Sequence, residues 1–160
     1  MASVEERLSA LERDVGVLSA KDAVRRVLSR YAVGVDTKRP AVLRELFAAD
    51  AILSVPNWNI EERGRDAIMA FFEDYWSRFD KPRRYYANED ITVRGAHAEA
   101  FMYWHVTQER DGESLVGWGT YEWAFKCVED RWLITKEVVH ILAMTTLTAG
   151  WAGDKRLSSL

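Results

Sequence analysis

Apolar residues at Val4, Leu8, Leu11, Val15 and Leu18 recur at spacings of four and three, the stripe of a short heptad helix. Ser3 and Glu6 stand before it at the spacing of a capping box. Two heptads are marginal as an isolated helix, so residues 1–18 are expected to form an arm that packs on its own domain or on a neighbouring subunit. A separate helix is predicted over 19–36, with Ala23, Val24, Val27, Leu28, Tyr31 and Val35 on its apolar side. Pro40, tolerated in a first turn, opens a short helix with Val42, Leu43, Leu46 and Phe47 inward. Residues 51–55 read as a brief strand ended by Pro56-Asn57. A third helix is expected over 64–79, where Ala67, Ile68, Phe71, Phe72, Tyr75, Trp76 and Phe79 keep helical spacing.

After Asp80-Lys81-Pro82 the pattern changes to strands, about 83–94, 98–109, 115–128 and 131–145. Turn-like separators join them: Arg94-Gly95-Ala96-His97, Arg110-Asp111-Gly112-Glu113 and Glu129-Asp130-Arg131. Short connections between consecutive strands imply an antiparallel meander, and helices followed by strands imply an α+β layer architecture. The expected fold is a curved antiparallel sheet wrapped on the N-terminal helices, forming a cone-shaped barrel with one pocket. The domain is expected over 19–145, with a C-terminal tail over 146–160.

Composition narrows the class. A chain of 160 residues, 48% hydrophobic and 29% charged, fits one globular domain. A net charge of -3 argues against nucleic acid as a partner. No apolar run approaches the roughly 20 residues of a membrane span, so no membrane partner is expected. The acidic Ser3-Val4-Glu5-Glu6 start is unlike a secretory signal, and the single Cys127 suits a reducing compartment, so a cytoplasmic location is expected. Seven Trp, six Tyr and six Phe are enough to fill a core and also to line a pocket for a flat apolar ligand.

Two segments carry a family resemblance. Val27-Leu28-Ser29-Arg30-Tyr31-Ala32-Val33-Gly34-Val35-Asp36, followed by Leu46-Phe47-Ala48-Ala49-Asp50-Ala51, resembles the opening of SnoaL-like proteins in the nuclear transport factor 2-like superfamily. Gly119-x-Tyr121-x-Trp123-x-Phe125, then Arg131-Trp132-x-Ile134, resembles the last two strands of the same family. The resemblance covers about residues 20–142, and the arm before it resembles the N-terminal helix of bile-acid 7α-dehydratase. Members include scytalone dehydratase, hexachlorocyclohexane dehydrochlorinase, ketosteroid isomerase-like enzymes and polyketide cyclases. Others have no catalytic role, so fold alone does not assign function.

The resemblance places Asp36 in the pocket, where it would orient a base or bind substrate; the alternative is a helix-terminal Asp on nearby backbone amides. Tyr31, on the same helix, would bind a substrate oxygen or simply pack in the core. Arg84 in Arg84-Tyr85-Tyr86-Ala87-Asn88 falls where the dehydratases carry a catalytic histidine. A guanidinium stays protonated and cannot act as a base, so an Asp36–Arg84 ion pair would anchor an anionic group or stabilise the fold. His105 is similar in position to a second pocket histidine and shares a strand face with Phe101 and Tyr103. His140 sits among apolar neighbours in the last strand. Either histidine is a proton carrier or a structural residue, while His97 lies in a turn. Tyr86, Asn88, Trp58, Trp76 and Tyr103 complete the candidate substrate-binding set. Trp58 belongs to the Pro56–Asn59 loop expected over the pocket mouth.

No phosphate loop, HExxH or nucleophile elbow is present, and the three histidines lack metal spacing, so neither cofactor nor metal is expected. The leading expectation is a cofactor-independent lyase or isomerase of dehydratase or cyclase type. It would act by general acid–base chemistry on a hydrophobic oxygenated small molecule such as an aromatic polyketide, terpenoid or steroid. A non-catalytic binding domain and a structural assembly subunit are the alternatives. A homodimer or homotrimer is expected from the arm and the outer sheet face.

Overall fold

The computed structural model describes residues 2–152. Its elements are α1 (Val4–Asp36), α2 (Pro40–Leu46), β1 (Phe47–Val55), a 3₁₀ turn (Pro56–Trp58), β2 (Ile60–Arg63), α3 (Arg65–Arg78), β3 (Asp80–Arg94), β4 (His97–Arg110), β5 (Glu113–Val128) and β6 (Arg131–Thr146). The expected tail lies partly outside the described residues, from 153 onward. Within them, the segment after β6 folds back: the Thr145 hydroxyl donates to the Gly150 carbonyl at 2.9 Å, and Trp151 meets the Trp118 ring edge-on at 5.9 Å.

The arm and the following segment, expected as two helices, are one 33-residue helix. Nothing interrupts it: there is no proline near Ser19, and Gly16 alone costs only about 1 kcal/mol of helix propensity. The expected capping box starts it. Ser3 Oγ accepts the Glu6 N–H at 3.1 Å, and Glu6 Oε2 accepts the Ser3 N–H at 2.7 Å. The helix buries Val24, Val27, Leu28, Tyr31 and Val35 against the domain. Its first half, by contrast, has its apolar stripe in solvent.

The sheet has six strands in the order β2-β1-β6-β5-β4-β3. The meander β3–β6 is antiparallel as expected, but β1 runs parallel to β6, so the sheet is mixed. Short turns dictate direction only between consecutive strands, and β1 reaches β6 across most of the chain. The expected barrel does not close, because β2 and β3 remain as edges. β2 escaped sequence reading because Ile60-Glu61-Glu62-Arg63 holds a single apolar residue.

On the inner face, large residues sit opposite small ones across the β4–β5 ladder: Phe125 against Ala98, Trp123 against Ala100, Trp104 against Gly119. Trp104 needs the absence of a side chain at Gly119, where a Cβ would lie 2.9 Å from its ring and 1.9 Å from the His140 carbonyl oxygen. β6 contributes the decisive irregularity. Ile134 pairs with Phe125, yet Lys136 pairs with Ala124 and Glu137 with Trp123, so one extra residue sits between them. A bulge of this kind flips the parity of the residues after it, here as far as Ile141, beyond which a second extra residue, Leu142, flips it back. Glu137, Val139 and Ile141 therefore turn inward, where an unbroken alternation from Ile134 would have sent Lys136, Val138 and His140.

Candidate functional site

The inner face, α1 and α3 enclose a cavity of about 70 Å³, room for a few water-sized groups. Its walls are mostly apolar, from Leu53, Val55, Phe71, Phe72, Trp104, Val106 and Ile141, with Trp58 of the 3₁₀ turn among them. Into this lining project Tyr31, Tyr75, Arg84, Gln108, Tyr121 and Glu137.

Glu137 is fully buried. The Tyr31 hydroxyl donates to its Oε1 at 2.6 Å, while Oε2 has no protein partner. Burial pushes the carboxyl up to about 8, against the lowering effects of the Tyr31 hydrogen bond and the Arg84 charge. At neutral pH Glu137 is thus mainly protonated, and a modest change in its surroundings would ionise it. Tyr31 is itself shifted upward, by burial first and then by the neighbouring carboxylate, so it remains a hydroxyl donor. Edge-on contacts with Phe47, Phe72 and Trp123 hold its ring, the last at 5.0 Å between centroids.

A second polar chain begins at Asp36, where α1 ends. Asp36 Oδ2 accepts the Arg84 backbone N–H at 2.9 Å, and Oδ1 lies 3.3 Å from Arg84 Nε, in ion-pair range without hydrogen-bond alignment. Both side chains are largely buried, at 13% and 7% exposure. Desolvation raises the Asp36 pKa, with Arg84 opposing it. Arg84 Nη2 donates to the Tyr75 hydroxyl at 3.1 Å, and Tyr75 donates in turn to Gln108 Oε1. Arg84, Tyr75 and Gln108 stand on the cavity wall; Asp36 stands behind them and reaches the cavity through Arg84.

The other sequence candidates separate cleanly. Trp58 lines the cavity. Tyr86 faces the same side of the sheet as Arg84 but packs edge-on against Tyr121, with its hydroxyl buried and unpaired. Trp76 lies off the wall, its indole N–H donating to the Val35 carbonyl at 2.9 Å. His105, Tyr103, Asn88 and His140 are not in the pocket, which corrects their expected position. His105 and Tyr103 alternate with the inward Trp104 and Val106, so both are exposed on the outer face, where His105 stacks on Trp118. Asn88 is exposed at a bulge in β3, at φ 57°. His140 is turned outward by the β6 bulge and its Nε2 lies 3.2 Å from Glu122 Oε1. Among the described residues, no group of three or more His, Cys, Asp or Glu side chains converges to hold a metal.

Sequence reading missed Glu137, Tyr75, Gln108 and Tyr121 as site residues. The available signal was a carboxylate inside a long apolar strand, Ile134-Thr135-Lys136-Glu137-Val138-Val139. Unbroken alternation from Ile134 puts this Glu on the solvent face, opposite to Lys136, unless the bulge is known.

The family model described as the SnoaL-like domain matches residues 16–137. No curated protein matches the chain by sequence. Solved structures do match in shape. The hexachlorocyclohexane dehydrochlorinase LinA-type3 from Novosphingobium barchaimii is 17% identical, with 88% of this chain and 95% of that one covered at a TM-score of 0.75. A putative scytalone dehydratase from Novosphingobium aromaticivorans is 19% identical, with 89% and 96% covered at 0.74. A type 2 LinA dehydrochlorinase is 15% identical, with 81% and 90% covered at 0.76. At such identities the likeness establishes the fold, and no helix among the described residues is long and apolar enough to cross a membrane.

Proposed function

Because the chain belongs to the SnoaL-like domain family, whose fold it shares with a dehydrochlorinase and a dehydratase-like protein, we propose that it is a cofactor-independent lyase or isomerase using general acid–base chemistry on a hydrophobic oxygenated small molecule. The observation that carries this reading is the Tyr31–Glu137 pair in the wall of an apolar cavity, with one carboxyl oxygen left over. A proton carrier works best with a pKa near the working pH, and burial brings Glu137 to about 8.

In this scheme ionised Glu137 removes a proton from the carbon next to a substrate carbonyl. The electron pair moves onto the carbonyl oxygen, and the Arg84 guanidinium stabilises the resulting enolate. Glu137, now protonated, either returns the proton to the γ-carbon of a β,γ-unsaturated ketone as the dienolate collapses, which is isomerisation, or gives it to a departing β-hydroxyl as the enolate collapses, which is loss of water. Tyr31 orients Glu137, and Asp36 holds Arg84 in place. A cavity near 150 Å³ admits benzene, so about 70 Å³ favours the smaller, flatter members of the expected substrate class. Aromatic side chains exposed on the outer face, Tyr85, Phe101 and Tyr103, support a homodimer or homotrimer.

The test is exchange and elimination in D₂O with a panel of small enolisable ketones and β-hydroxy ketones, followed by proton NMR. Catalysed loss of the α-proton signal in wild type, absent in Glu137→Gln, supports the proposal. One observation favours a second reading, a non-catalytic binding domain: no histidine stands among the residues of the cavity wall. Saturable ligand binding with no exchange in any member of the panel would establish that reading instead.

A further inference from the structure

The heptad stripe on the first half of α1 plays no part in the site and precedes most of the matched family region. Val4, Leu8, Leu11, Val15 and Leu18 are 79%, 55%, 60%, 60% and 65% exposed. Their own domain cannot cover them. At 3.6 residues per turn the stripe points roughly 160° away from the side of α1 that carries Val24, Val27, Leu28, Tyr31 and Val35. A partner on the stripe would therefore sit on the far side of the helix from the domain, with no clash between the two.

We propose that the arm is a self-recognition element: two copies of this chain pair their arms as a short parallel two-stranded coiled coil. Val15 at an a position between Leu11 and Leu18 at d is the combination that favours two strands, and Leu8 at a and Val4 at d carry the apolar seam on toward the N-terminus. It stops where the next a and d positions become Asp22 and Arg25, and Arg25 is already bonded to Glu89 at 3.0 Å.

Charge selects the direction. In a parallel pair each Arg7, at g, faces Glu12 of the other copy, at e, and Asp14 faces Ser19, so no like charges meet within the arm. In an antiparallel pair aligned on the same seam, Arg7 would face Asp14, but Glu5 would face Glu12 at both ends. The arm is also ready for pairing. It continues a helix already anchored in the domain and carries its own capping box, so association bears little of the nucleation cost that makes short helices marginal.

The experiment uses the full chain and does not depend on the catalytic reading. Sedimentation equilibrium is compared for wild type and Leu11→Asp/Val15→Asp, with far-ultraviolet circular dichroism to confirm an unchanged fold. The double variant is expected to weaken self-association about tenfold or more. In a Cys127→Ser background, Leu11→Cys should form a disulfide-linked dimer under mild oxidation and Arg13→Cys, away from the seam, should not. Arg7→Glu and Glu12→Lys should each weaken association, and the two together should restore it. An oligomer that persists unchanged in the double variant, or equal cross-linking at positions 11 and 13, overturns the proposal. Strengthening by Glu12→Lys alone overturns the parallel arrangement, because it is the result expected of the antiparallel one.

Discussion

The two faces of the sheet hold much the same kinds of residues and put them to different chemical use. The outer face carries His105, His140, Tyr85, Tyr103 and Glu122, all in contact with solvent, where water screens their charges. The inner face carries Glu137, Tyr86, Tyr121 and Arg84 among apolar walls, where burial dominates the pKa of every acid. What separates the faces along the Glu137 to Ile141 stretch of β6 is one extra residue near Thr135. The lesson is that the chemistry of this fold is assigned by strand parity more than by residue identity. A histidine on the wrong side of the sheet cannot serve the cavity, and a glutamate on the inner side acquires the pKa range usually supplied by histidine.

The largest effect expected from this contrast is on turnover. Glu137→Gln keeps the shape and the acceptor for the Tyr31 hydroxyl but cannot ionise, so kcat on a substrate found by the exchange panel should fall about 10²–10⁴-fold. Circular dichroism and the unfolding midpoint should show an intact fold. Activity within threefold of wild type would remove Glu137 from the mechanism.

Next in size is a test of how the inner face is built. A methyl at Gly119 would lie 1.9 Å from the His140 carbonyl oxygen, and backbone cannot yield as a side-chain tip does. Gly119→Ala should cost about 3 kcal/mol or more, read as a lower urea midpoint with an unchanged slope. A cost under about 1 kcal/mol would mean that the β5–β6 pairing adjusts freely, and the parity argument would lose its rigidity.

A smaller effect distinguishes the faces by pH. The folded-state pKa of Glu137 lies above its ordinary 4.5, at about 8, so the native state holds this proton to higher pH than the unfolded chain does. Its contribution is fully favourable below about 4.5 and is lost as pH rises toward 8, with a slope of at most about 1.4 kcal/mol per pH unit. Asp36 is shifted in the same direction, so the isolating measurement is a difference. Urea unfolding of wild type and Glu137→Gln from pH 5 to 9 should give curves that diverge below pH 8, with the variant the flatter. Parallel curves would mean that Glu137 is ionised in the native protein.

Much of this molecule was legible before its structure. The capping box of Ser3 and Glu6, the proline-led α2, the third helix and the four-strand meander all follow from local spacing and turn chemistry, which the chain states directly. Asp36 and Arg84 came together through the family resemblance rather than through any local pattern, and the structure holds them 3.3 Å apart as an ion pair. The β1–β6 pairing was hidden because strand partners distant in sequence leave no local mark. Glu137 was hidden for a related reason. A bulge depends on how two strands fit each other, so a reader of one strand alternates through it and arrives at His140 instead.

The smallest effect concerns that histidine, and it is the sharpest check on the comparison because the expected answer is almost nothing. His140 makes one polar contact, with the exposed Glu122 carboxylate at 3.2 Å, and both side chains keep substantial solvent access. Such surface pairs contribute little. His140→Gln should therefore change stability by no more than about 0.5 kcal/mol and leave kcat within about twofold. The same holds for His105→Gln, although some loss of the flat contact with Trp118 will register in tryptophan fluorescence. A tenfold loss of turnover in either variant would show that the outer face communicates with the cavity. The division of labour between the two faces would then have to be redrawn around the histidines after all.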